Sequence, residues 1–240
     1  MVMRLMPVFL GFIVVGSAAS ADPPIGSRLG ERLEKQQVRN EHDAAEAAHK
    51  LAGCILVKRG SAGRDLLSAR SDEEVKRLRG MIGGAYECLV DLPGNDTVEA
   101  VSVSYPPDIM RGDIAEELLK RDRAAVAQLQ PLPIQKSYAR SWFAFTGRDT
   151  SVDEMADCVA ETDPTGIMLL VDSDPTSGAE TAAFSGLLPY MGPCLRAGTK
   201  PEGKREPLRA ALAEALYQRL KNPGESLAGT RSKAPQAQAK

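Results

Sequence analysis

The chain has 240 residues, 30 of them basic and 32 acidic, giving a net charge of −2. A mixed, weakly acidic surface carries no footprint for nucleic acid and no polybasic patch for anionic lipid. The length suits one large domain or two modest ones, and aromatics, at 5% of residues, give the core few large side chains to draw on.

Residues 1–21 read as an export signal. Arg4 supplies the positive charge, Val8 to Val15 a short apolar core, and Ala19-Ser20-Ala21 a small-residue cleavage site before Asp22. The apolar run is too short to span a bilayer. No cysteine follows the cleavage site, so lipid anchoring is not indicated. The expected product is periplasmic or secreted, without a membrane span, in a compartment that oxidises thiols.

Residues 22–40 are expected to form a flexible lead. A helical period starts near Glu41, with Ala44, Ala47, Leu51 and Cys54 on one stripe and Ala48, Ala52 and Ile55 widening it. A short second helix is expected over residues 62–69. Ser71 and Glu74 form a capping box for a third, whose apolar side is Val75, Leu78, Ile82 and Tyr86. Weak alternation over residues 98–105 suggests a short extended segment, ended by Pro106-Pro107. A fourth helix carries Arg111 to Arg121 and runs on toward Pro131, closing a helical module over residues 41–130.

Residues 131–150 read as a linker holding an aromatic cluster. Tyr138, Trp142 and Phe145 fall at helical spacing, with Phe143 beside them and Lys136, Arg140 and Arg148 at the flanks. Tyr138, Arg140, Trp142 and Phe145 are the candidate binding set. The competing reading is a wedge that packs one half on the other.

A second module follows over residues 151–221. Ser151 and Glu154 offer a capping box for the helix with Met155 and Cys158; Ser177 and Glu180 offer one for the helix with Phe184, Leu187, Leu188 and Met191. Pro189 is expected to kink or end that helix. Pro207 suits the first turn of the last one, with Leu212, Leu216 and Leu220 inward. Residues 222–240 are expected to be a disordered tail.

The two modules echo each other. Leu51-Ala52-Gly53-Cys54 answers Met155-Ala156-Asp157-Cys158, Ser71 and Glu74 answer Ser177 and Glu180, Gly80-Met81-Ile82 answers Gly186-Leu187-Leu188, and Cys88-Leu89 answers Cys194-Leu195. Arg111 to Arg121 then answers Arg209 to Arg219, sharing Arg, Ala, Glu, Leu and Arg. This register predicts an all-α fold, a tandem duplication of a module of about four helices. Among the three possible pairings of four cysteines it selects Cys54–Cys88 and Cys158–Cys194.

Motifs for chemistry are missing. No C-x-x-C, no clustered Cys and His, no G-x-S-x-G, no S-x-x-K and no phosphate-cradling glycine loop occurs. No cofactor or metal is therefore expected. His42 and His49 are the only histidines, and with Glu46 they fall on one helical face, read as solvated. Glu116 and Glu214 could form an acid pair for glycoside hydrolysis, but are expected to be surface charges paired with Lys120, Arg121 or Arg219. The expected function is non-catalytic binding of a protein or envelope component. The alternatives are a hydrolase acting on an envelope polymer through carboxylates, and a small-ligand carrier.

Overall fold

A computed structural model describes residues 25–83, 86–88, 106–135, 137–195 and 204–224. The export signal, the segment 98–105 and nearly all of the tail lie outside the described residues. All regular structure among those residues is helical. In chain order the helices are α1 (Ile25–Lys58), α2 (Gly60–Ser68), α3 (Asp72–Gly83), α4 (Pro107–Arg121), α5 (Arg123–Val126), α6 (Thr150–Thr162), α7 (Pro164–Val171), α8 (Gly178–Cys194) and α9 (Arg205–Lys221). Two single 3-10 turns cover Tyr86–Cys88 and Ser141–Phe145. The chain divides at Arg39 into two compact units, and the first is helical from Ile25 onward. Everything below concerns the second unit.

Two helices begin as the capping boxes require. The Glu74 amide donates to Ser71 Oγ at 3.2 Å, and the Glu74 carboxylate accepts from the Arg70 amide at 3.1 Å. The Glu180 amide donates to Ser177 Oγ at 3.1 Å, and its carboxylate accepts from the Thr176 amide at 3.0 Å. Each carboxylate thus reaches one residue further back than the standard box. The third expected box fails. Asp149 caps α6 instead, accepting from the Ser151 amide at 2.7 Å, so the helix starts at Thr150 and Ser151 lies inside its first turn.

Pro189 does not end α8, which runs on through Pro189 and Pro193 to Cys194. Pro189 takes one donor from the helix. The carbonyl it strands belongs to Ser185, and both residues lie on the exposed side, where water can serve it. Leu187 and Met191 anchor the opposite side in the core. Among the described linker residues before Thr150, only Ser141–Phe145 is helical, and as a tight 3-10 turn, so the expected helical aromatic face does not form.

α4 and α9 form the centre of the unit, packed on each other. α9 packs also on α6, and α8 on α6 and α7, while α4 meets α2. Where α4 and α9 cross, a Cβ on Gly112 would fall 2.2 Å from the Ala210 Cβ and 2.3 Å from its Cα. The two backbones touch at that point, which only glycine permits. Around the crossing pack Leu66 and Leu67 of α2, Ile114 and Leu119 of α4, Val159 of α6, Leu170 of α7, and Leu212 and Leu216 of α9, all fully buried. Cys54–Cys88 ties α1 to the turn after α3, and Cys158–Cys194 ties α6 to the end of α8, each with Cα atoms 5.6 Å apart. That is the pairing the register selects.

Candidate functional site

An α-helix turns about 100° per residue, so residues five apart point about 140° away from each other. Arg111 and Glu116 of α4, and Arg209 and Glu214 of α9, have that spacing. Neither pair can close within its own helix, and each charge must look across to the other. Arg111 donates to Glu214, its Nε lying 2.9 Å from Oε1. Arg209 grips Glu116 with both ends of the guanidinium, Nε to Oε1 at 2.7 Å and Nη2 to Oε2 at 2.8 Å. All four side chains are at most 1% exposed. The expected surface pairing of Glu116 and Glu214 with Lys120, Arg121 or Arg219 is therefore wrong. Lys120 pairs with Glu117, and Arg219 is buried with its guanidinium on the Ala160, Glu161 and Gln130 carbonyls.

The two arginines have further acceptors. Arg111 donates to the Leu66 carbonyl at 2.6 Å, at the C-terminal end of α2. Arg209 donates to the Ser173 carbonyl at 2.9 Å, just past the end of α7, and to the Glu180 carboxylate at 3.0 Å. Cations at helix C-termini meet the negative end of the dipole and satisfy orphan carbonyls. Burial works against a charge on Glu214, yet Arg111 and Arg148 outweigh it and hold its carboxyl below the ordinary range.

Arg148 completes one flank of the network. Its guanidinium lies between Asp153 of α6, at 2.8 Å, and Glu214 of α9, at 2.6 Å, and reaches the Asp108 carbonyl at 3.1 Å. The other flank is built differently. The register that sets Cys54 against Cys158 sets His49 against Asp153, and the one that sets Glu116 against Glu214 sets Glu206 against Asp108. His49 of α1 faces Glu116 (Nδ1 to Oε2, 3.5 Å), Asp113 (Nε2 to Oδ1, 3.6 Å) and Glu206 (Nε2 to Oε1, 3.5 Å). Burial opposes a proton on this imidazole, but Glu206, Asp113 and Glu116 together lift its pKa to about 9. His49 thus leaves the solvated face assigned to it. Glu46 pairs with Lys50 at 2.6 Å, and His42, which is exposed, meets the Thr176 hydroxyl.

The aromatic candidates turn inward. Trp142 is 1% exposed and Tyr138 6%, while Phe145 is half-buried. Trp142 packs edge-on against Phe143 with centroids 4.5 Å apart. Burial pushes the Tyr138 phenol up to about 12, and its oxygen accepts from the Gln135 amide at 3.0 Å. Arg140 spends its guanidinium on Asp157 and Glu161, each at 2.8 Å. Little of this set is left to meet a ligand.

No protein-family model matches the chain, and no curated protein or solved structure is similar to it. Among the described residues no helix is long and apolar enough to cross a membrane.

Proposed function

We propose that the chain is an exported protein that binds a protein or envelope component without turning it over, and that it arose by tandem duplication of a four-helix module. One observation carries the non-catalytic reading. Glu116 and Glu214, the repeated acids that offer themselves as a catalytic pair, are sealed from solvent and held by guanidinium groups. A general acid or nucleophile must reach its substrate. Duplication is supported by the reciprocal pairs, Arg111 to Glu214 and Arg209 to Glu116, which have the i-to-j, j-to-i form of a two-fold contact. Gly112 and Ala210, equivalent in the sequence register, meet at the crossing. Export is supported by residues 1–21 and by the two disulfides.

Contact with the partner is assigned to α7 and α8, which pack together and leave Leu169 61%, Leu188 62% and Tyr190 41% exposed. Oxidised mature protein, immobilised and passed over an extract of exported proteins and envelope fragments, should retain a defined component. Leu188→Asp should release it while circular dichroism stays unchanged. Release of soluble sugars or peptides from cell-wall polymer, at a rate set by protein concentration, would establish the hydrolase instead.

A further inference from the structure

We infer that His49, Asp113 and Glu116 form a binding site for one divalent transition ion of the zinc class. Their donor atoms all lie within 4.8 Å of one another. The spacing of the closest donors is the physical argument. Separations of 3.5 and 3.6 Å between imidazole nitrogen and carboxylate oxygen are too long for hydrogen bonds. They are near the edge of a tetrahedron around an ion with ligands at about 2.0–2.1 Å, an edge of about 3.3–3.4 Å.

A second observation is independent of the acids. The His49 side chain is 10% exposed and aimed into the cluster, and neither ring nitrogen has a hydrogen-bond partner. The ring meets its three carboxylates only through contacts of 3.5–3.6 Å without a hydrogen bond, a spacing that an ion seated between the donors would close. The opposite flank shows what fills such a space. There the equivalent acids, Asp153 and Glu214, enclose the Arg148 guanidinium. Beside His49 it is Arg209 that lies behind Glu116 and fixes the carboxylate's direction. The donor set of one imidazole and carboxylates, with no sulfur, suits zinc and its neighbours over calcium or magnesium. Glu206, its Oε1 3.5 Å from Nε2 and its side chain 23% exposed, stands where a fourth ligand can approach from the surface.

The chain has only two histidines, which makes the test direct. Full-length mature protein with both disulfides formed, labelled with 15N-histidine and stripped with chelator, is titrated with zinc chloride. The His49 ring nitrogen resonances should shift and saturate at one equivalent, while those of His42, assigned with His42→Gln, stay put. In calorimetry, Asp113→Asn should weaken binding about tenfold to a hundredfold, and His42→Gln should leave it unchanged. An unmoved His49 at excess zinc, or a response at His42 alone, overturns the site and leaves His49 as a plain imidazolium counter-ion. Should Asp113→Asn misfold, the labelled wild-type titration decides by itself.

Discussion

Arg209 and Arg111 occupy equivalent positions in sequence, but their removal should not cost the same. Arg209 is the guanidinium on Glu116, and it also holds Glu180. Truncating it leaves Glu116 facing only His49, at 3.5 Å, and Glu180 with only the Thr176 amide; removing one partner of a buried pair typically costs about 3–5 kcal/mol. Glu214 keeps Arg148 when Arg111 is lost. Arg209→Met should therefore lower urea-unfolding stability by about 3–5 kcal/mol, and Arg111→Met by clearly less. Adding Glu116→Leu to Arg209→Met should recover part of the loss; simple additivity would mean the pair is not coupled. Glu214 also sets an acid limit. Its pKa is depressed in the folded chain, so its stabilisation is full above the ordinary carboxylate pKa of 4.5 and fades as pH falls through the lower folded value. Glu214→Gln should flatten the acid limb of a stability–pH curve, and an unchanged limb would assign it to other carboxylates. Sequence reasoning found Arg111, Glu116, Arg209 and Glu214 as a repeated pattern but placed the acids in water, because charged residues are seldom buried and basic residues, Lys120 at i+4 of Glu116 among them, follow in the same helices. The usable signal was the five-residue gap between each Arg and its Glu, which forbids pairing within one helix. His49 was misplaced for a related reason: its partners come from α4 and α9, and nothing on α1 names them.

At the scale of the helix, the α4–α9 crossing hangs on one missing side chain. A Cβ on Gly112 would overlap both Cβ and backbone of Ala210, so no rotamer change relieves it. Overpacking of this kind costs about 1–3 kcal/mol, more where backbones must part, and Gly112→Ala should fall at or above the top of that range. Gly80 of α3 is the matched control, since a Cβ there meets nothing within 4 Å. Gly80→Ala should raise stability by about 0.5–1 kcal/mol through helix propensity and the unfolded chain. A loss at Gly80, or none at Gly112, would contradict the packing described. Helix positions were largely legible because caps and apolar stripes are local. Ser71 with Glu74 and Ser177 with Glu180 act as read. What escaped was decided by competition or by tertiary contact: Asp149 outreached Ser151 for the start of α6, and core packing at Leu187 and Met191 carried α8 through Pro189.

Taken whole, the second unit joins α4 to α9 by its buried reciprocal ion pairs, linking a set of helices before residue 130 to a set after it. The cysteine bonds do the reverse, each closing a loop within its own set, over 34 and 36 residues. Closing loops of that length restricts the unfolded chain by about 3.8 kcal/mol apiece on the chain-entropy account. If the halves were independent domains, losing one bond would lower the melting of one half only. The crossing argues otherwise, since Glu214 of α9 is neutralised by Arg111 of α4, and Glu116 of α4 by Arg209 of α9. Unfolding either set would strand buried charge in the other, a penalty comparable to the whole stability of a modest domain. Calorimetry of the oxidised chain should therefore show one transition, with calorimetric and van't Hoff enthalpies in agreement. Cys54→Ser/Cys88→Ser and Cys158→Ser/Cys194→Ser should each shift that single transition downward without splitting it. Two resolved transitions, each answering to its own cysteine pair, would mean that the arginine–glutamate exchange joins two bodies without coupling their folding.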